Sequence, residues 1–165
     1  IFFKFNLYTK IIHTEKFVTS DHSIFRDFEK GYGYKPEFIE FKDIISHNLN
    51  STFLSIDIEG GEYELLEDIC SFSKNLIGLN IEFHDVQDNL EKIKLFINKF
   101  GLLLVHTHIN NFGPIINGVP SVIELSFSGN SEIDRFPNQK LVNSLPIKLD
   151  QLNNADGTDY LVTFN

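Results

Sequence analysis

The sequence contains no Met, no Trp, a single Cys, and only 14 Lys and Arg against 23 Asp and Glu in 165 residues. With no Met and Ile1 at its start, the chain is expected to be a processed product or a fragment of a longer protein. The lone thiol, Cys70, excludes an internal disulfide, so the core must hold the fold. Cys70 falls on the apolar face of an expected helix and reads as a packing residue. The net charge of −9 argues against a nucleic-acid backbone or an anionic membrane as partner. Both reward clustered Lys and Arg, and no basic stripe occurs. No apolar run approaches the roughly 20 residues that span a bilayer. Residues 1–5 are apolar but too few for the core of a signal peptide. A soluble chain in a reducing, cytoplasmic setting is expected, with no nucleic acid and no membrane span.

What is present is apolar and aromatic. Hydrophobic residues make up 42% of the chain, 17 residues are Phe, and 22% are charged, values that suit a globular domain with a sizeable core. No repeat, low-complexity tract or linker interrupts it, so residues 1–165 are expected to form a single domain.

The first part of the chain is weakly patterned. Residues 1–9 read as a strand, residues 21–28 as a short capped helix, and residues 31–36 as a turn rich in Gly and Pro. Residues 38–41 alternate as a strand, and residues 43–48 read as a helical turn. From residue 52 the pattern becomes regular. An apolar strand is expected over 52–58, a helix over 62–72, a strand over 76–83, a helix over 88–100 and a strand over 102–106. In the second helix Leu90, Ile93, Ile97 and Phe100 recur at spacings of three and four, which aligns them on one face. A further strand is expected over 120–128, irregular chain over 129–158, and a last short strand over 160–164. Alternating strands and helices with short joints imply βαβ crossovers and an α/β fold. The stretch before the 120–128 strand offers no helix. That strand is therefore expected to reverse and lie antiparallel at one edge of a mostly parallel sheet.

Ligands of an open α/β sheet bind beyond the carboxyl ends of its strands, so the residues there carry the functional question. Asp57 and Glu59 are two apart on an extended segment and share a face, followed by Gly60 and Gly61, which permit a sharp turn. Glu62 stands where a helix dipole favours negative charge. A carboxylate such as Asp57 in an apolar strand needs a partner or a task. The next strand ends in Glu82 and His84 on one face, a pairing suited to general-base chemistry. The third ends in His106 and His108, followed by Asn110 and Asn111, and Glu124 of the fourth is a candidate partner for one of these His residues. Asp57, Glu82, His84, His106 and His108 are types that bind zinc, manganese or iron, but their spacing matches no compact motif and no metal is assigned. No Walker loop, GxSxG elbow, CxxC or dinucleotide fingerprint occurs.

With these residues laid out, the chain resembles the FkbM family of S-adenosylmethionine-dependent methyltransferases. The central match is Ser55-Ile56-Asp57-Ile58-Glu59-Gly60-Gly61-Glu62, which is similar to the family's Ile-Asp-Val/Ile-Glu-Gly-x-Glu segment between a strand and a helix. In order along the chain follow Glu82-Phe83-His84, His106-Thr107-His108-Ile109-Asn110-Asn111, the Pro120 to Phe127 strand, and Leu145-Pro146-Ile147-Lys148-Leu149-Asp150-Gln151-Leu152-Asn153. The match covers residues 38–160, while residues 1–37 match nothing in the family, and its Gly-rich cofactor loop is absent. The resemblance implies a class I methyltransferase (Rossmann-like) sheet, incomplete at its amino-terminal side, and O-methylation of a sugar or glycan hydroxyl. It makes Asp57, Glu59 and Gly60 contacts of S-adenosylmethionine. It makes Asp57, His84 and His108 catalytic, with either His as the base. Glu62, Glu82, His106, Asn110 and Asn111 would then contact the acceptor. A sheet edge left open by missing strands would favour self-association into a homo-oligomer. Two other functions suit the same residues: a non-catalytic methyltransferase-like binding module and a metal-dependent hydrolase.

Overall fold

The computed structural model describes residues 17–19, 38–46, 52–129, 144–148 and 150–163. The strand expected over 1–9, the helix over 21–28 and the turn over 31–36 lie outside the described residues. Two short strands, β1 (Phe17–Thr19) and β2 (Phe38–Glu40), pair in parallel, and β2 runs directly into α1 (Phe41–Ser46).

The body of the fold is β3 (Thr52–Ile56), α2 (Glu62–Phe72), β4 (Leu76–Phe83), α3 (Val86–Lys99) and β5 (Leu103–Ile109). A small hairpin of β6 (Ile115–Ile116) and β7 (Val119–Pro120) follows, then β8 (Ile123–Ser128). The hairpin turns at Asn117 and Gly118, both with positive φ, the conformation that Asn-Gly adopts most readily in a two-residue turn. Last come β9 (Ser144–Leu145) and β10 (Val162–Thr163), an antiparallel pair.

The four long strands form one sheet in the order β3-β4-β8-β5. β3 and β4 are parallel, and β8 is antiparallel to both β4 and β5. The antiparallel strand is therefore internal rather than at the edge, and two of the three pairings are antiparallel rather than most being parallel. The reason is in the chain. Between β5 and β8 there is a hairpin and no crossover helix, so β8 must return in the opposite direction. Its Leu125 and Phe127, each 2% exposed, are also far more deeply buried than the half-exposed Leu103 and Val105 of β5, so the more apolar strand takes the inner place.

Helices α2 and α3 cover one face of this sheet. Leu65, Leu66 and Ile69 from α2, and Val86, Ile93 and Phe96 from α3, pack on Ile56, Leu79, Ile81, Phe83, Leu125 and Phe127. The strand residues of this set fall in register: Ile56 opposes Ile81, Ile81 opposes Leu125, and Leu79 opposes Phe127. Four rings pack together within this layer, Phe83, Phe96, Phe100 and Phe127, with centroids 4.9–6.1 Å apart, Phe96 and Phe100 stacked and the other pairs edge-to-face. On the opposite face Phe53 lies over Gly78, where any side chain would meet its ring at 2.7 Å. Toward the carboxyl ends of β3, β4 and β5 that same face turns polar. Among the described residues no helix is long and apolar enough to cross a membrane.

Candidate functional site

Asp57 is the first residue beyond β3 and is exposed. The chain then turns tightly through Glu59 (φ 53°) and Gly60 (φ 99°), a left-handed pair in which glycine is the one residue type without a steric penalty. The turn closes on Glu62, the first residue of α2. Its Oε1 accepts hydrogen bonds from the amides of Ile58 and Gly60, both at 3.2 Å. Glu62 is 0% exposed, so it meets no ligand directly, unlike the acceptor contact expected for it.

The same Oε1 lies 3.0 Å from His84 Nδ1. His84 follows β4, and its carbonyl accepts the hydroxyl of Tyr63 from α2. Since Glu62 can only accept, Nδ1 carries the proton and Nε2 points away from the helix. Nε2 lies 3.3 Å from Glu59 Oε2 and 3.8 Å from Glu82 Oε1. Burial alone lowers the His84 pKa, but the hydrogen bond and charge of Glu62, then the charges of Glu59 and Glu82, outweigh it and raise it above 6.5. A raised folded value means that stability from this group is complete below about 6.5 and is lost as pH rises through the folded value. In chelator-treated protein the urea midpoint is therefore expected to fall as pH rises above that point. The fall should disappear in His84→Gln, and an unchanged pH dependence in that variant would contradict the assignment.

Glu82 and Glu124 stand directly opposite each other on β4 and β8, and Glu124 stands opposite His108 of β5. Two amides separate the like charges. Asn110 Nδ2 donates to Glu82 Oε1 at 2.6 Å, and Asn153 Nδ2 donates to Glu124 Oε1 at 2.6 Å. Burial pushes the Glu82 carboxyl above the usual carboxylate range. The Asn110 bond opposes this, the charges of Asp57 and Glu124 add to it, and His84 opposes it.

The other sequence candidates do different work. His108 is 7% exposed, with Nδ1 3.7 Å from Glu124 and Nε2 3.5 Å from Asp159, and Nε2 has no hydrogen-bond partner. Its expected partner Glu124 is thus confirmed, but the imidazole is closed in by Asp159. His106 Nε2 meets Asp150 at 2.8 Å, while Asp150 also accepts the amide of Ile147 at 2.6 Å. Asn111 exchanges two bonds with the backbone of Asn154, at 2.7 and 3.0 Å, and the Tyr160 hydroxyl bonds the Gly113 carbonyl at 3.0 Å. His106 and Asn111 therefore tie the closing segment of the chain to the sheet, and Asn110 orients Glu82.

The fold thus gathers Asp57, Glu59, Glu82 and His84, with ligand atoms of Asp57, Glu59 and His84 all within 4.8 Å of one another. Tyr63 and Asp159 were not legible as contributors, and Asp150 and Asn153 were read only within the closing segment of the resemblance, not as partners of His106 and Glu124. Asp150 and Asn153 sit in a turn-rich stretch whose partners lie tens of residues away, and Tyr63 reads as one more apolar helix residue. An apolar groove between α2 and α3, lined by Tyr63, Leu66, Cys70, Leu95 and Phe96, lies on the helix side of the sheet. Burial pushes the Cys70 thiol up, which leaves it a weak nucleophile. No family model matches the chain, and no curated protein matches it.

Proposed function

We propose that this chain belongs to an S-adenosylmethionine-dependent O-methyltransferase of the FkbM kind, with a class I methyltransferase sheet, acting on a sugar or glycan hydroxyl. The observation that carries the reading is the convergence of Asp57, Glu82 and His84 at the carboxyl ends of β3 and β4, on the polar face of the sheet. Ligands of open α/β sheets bind there. The resemblance of residues 55–62 to the family's segment gives that convergence its chemistry.

The donor set suits the cofactor. Asp57 and Glu59 are exposed carboxylates that complement a cationic sulfonium, and Gly60 leaves open space where another residue would place a side chain. The amides of Ile58 and Gly60 are already taken by Glu62, so attraction there comes from the carboxylates. When bound, the cofactor supplies an electrophilic methyl group. The protein's own task is to hold an acceptor hydroxyl in line and to take its proton. The His84–Glu82 pair is built for that. Glu62 fixes the imidazole, Asn110 fixes the carboxylate, and Nε2 and Oε1 lie 3.8 Å apart at the exposed side. His108 is too enclosed by Asp159 to serve as the base.

Calorimetric titration with S-adenosylhomocysteine tests the reading. Binding with a micromolar dissociation constant, about −8 kcal/mol, is expected. Asp57→Asn should weaken binding of S-adenosylmethionine, which carries the sulfonium, about tenfold, about 1.4 kcal/mol. Folded protein that takes up no S-adenosylhomocysteine would remove the cofactor from this chain and favour a methyltransferase-like binding module.

A further inference from the structure

We propose that Asp57, Glu59 and His84 form a binding site for one first-row divalent cation, with Glu62 as the positioning residue behind the imidazole. This goes beyond methyl transfer and uses the carboxylates that the cofactor reading gives to the sulfonium, so the two cations would compete for them; the site stands without that cofactor.

The geometry is that of a three-ligand site. Carboxylate oxygens of Asp57 and Glu59 and a ring nitrogen of His84 lie within 4.8 Å of one another. The Nε2 to Glu59 distance is 3.3 Å, and two ligands bound at about 2.0 Å around a tetrahedral ion stand about 3.3 Å apart. Nε2 pairs with Glu59 and lies 3.8 Å from Glu82, so both carboxylates face the same ring atom. With Nδ1 committed to Glu62, Nε2 is the ring atom left facing the carboxylates, where a divalent cation can take the place of its proton.

A second observation comes from the other side of the ring. Metal-bound histidines usually donate their second N–H to a carboxylate, which sets tautomer and orientation. Glu62 holds Nδ1 in this way, and it is entirely buried. Its Oε1 takes three contacts, yet its Oε2 is buried with no hydrogen-bond partner. A buried carboxylate in that state calls for positive charge nearby. A cation on Nε2 supplies it through the imidazole, by strengthening the Nδ1–H donor.

The donor set selects the ion. Two carboxylates and one imidazole suit manganese, iron or zinc rather than the all-oxygen ions, and no thiolate is present to favour softer metals. Asp57 and Glu59 are exposed, so the remaining positions face solvent and would take water or a ligand oxygen. With a cation bound, His84 would serve as a ligand and Glu82 would be the neighbouring carboxylate left as a base.

The test is a Mn2+ titration of the full 165-residue chain after removal of metals by chelator, followed by electron paramagnetic resonance. One saturable Mn2+ per chain is expected, with nitrogen coupling from a bound imidazole. Asp57→Asn and His84→Gln should each weaken binding at least tenfold, and His84→Gln should abolish the coupling. Glu62→Gln should weaken it about tenfold while the coupling persists, as for the loss of an outer-shell partner. Glu91→Gln, on the exposed side of α3, should change nothing. Asp57 is exposed, so its variant is expected to fold even if the Glu62 variant does not. Absence of saturable binding at millimolar Mn2+, or binding indifferent to both Asp57→Asn and His84→Gln, overturns the site. A negative S-adenosylhomocysteine titration leaves it standing.

Discussion

Phe96→Ala is expected to destabilise the folded protein by about 3–5 kcal/mol, enough to consume much of a domain's ordinary stability. Phe96 is 3% exposed and its ring meets three others: Phe100 at 4.9 Å, Phe127 at 5.7 Å and Phe83 at 6.1 Å. Those partners come from α3 and its end, from β8 and from β4, so one ring ties the helix layer to two neighbouring strands. Removing it deletes buried apolar area and leaves a cavity among rigid rings that cannot collapse readily to fill it. Edge-to-face contacts with Phe83 and Phe127 are lost as well. Urea denaturation followed by circular dichroism measures the effect. A loss under about 1 kcal/mol would mean that the four-ring layer is not the centre of the core.

Glu62→Ala is expected to cost about 3 kcal/mol and to disorder the site, although Glu62 touches no ligand. The substitution leaves the amides of Ile58 and Gly60 and the Nδ1 proton of His84 without their shared acceptor. Each stranded buried donor costs about 1–3 kcal/mol, partly recovered where water can enter. Glu62→Gln keeps the size and one carbonyl oxygen, so it should be milder by about half. The two variants separate charge from shape. Equal losses would mean that the carboxylate, not the size of the side chain, holds the turn. A Glu62→Ala change within 0.5 kcal/mol, roughly the scatter of surface substitutions, would contradict the network.

Much of the architecture was legible. The spans expected over 62–72 and 76–83 coincide with α2 and β4, and the helix expected over 88–100 is α3 displaced by about two residues. The strand expected over 52–58 ends at Ile56, because Asp57 begins the turn. The strand expected over 102–106 continues to Ile109, since pairing with β8 carries it through His108 opposite Glu124. That pairing also sets the surroundings of His106 and His108. Alternation places both His residues on the polar face, but that their partners are Asp150 and Asp159, tens of residues away, is no local pattern.

The sequence by itself determined what periodicity encodes: the succession of strand and helix from β3 to β5, the apolar faces they bury, and the cluster of carboxylates and His at strand ends. These follow from spacings of two and of three to four, which act over a few residues. Only the tertiary structure decided that β8 enters between β4 and β5, that Glu62 is buried, and that its carboxylate meets an imidazole 22 positions away. Those outcomes depend on which distant surfaces exclude water together and which buried polar groups find partners, and no local pattern carries that information.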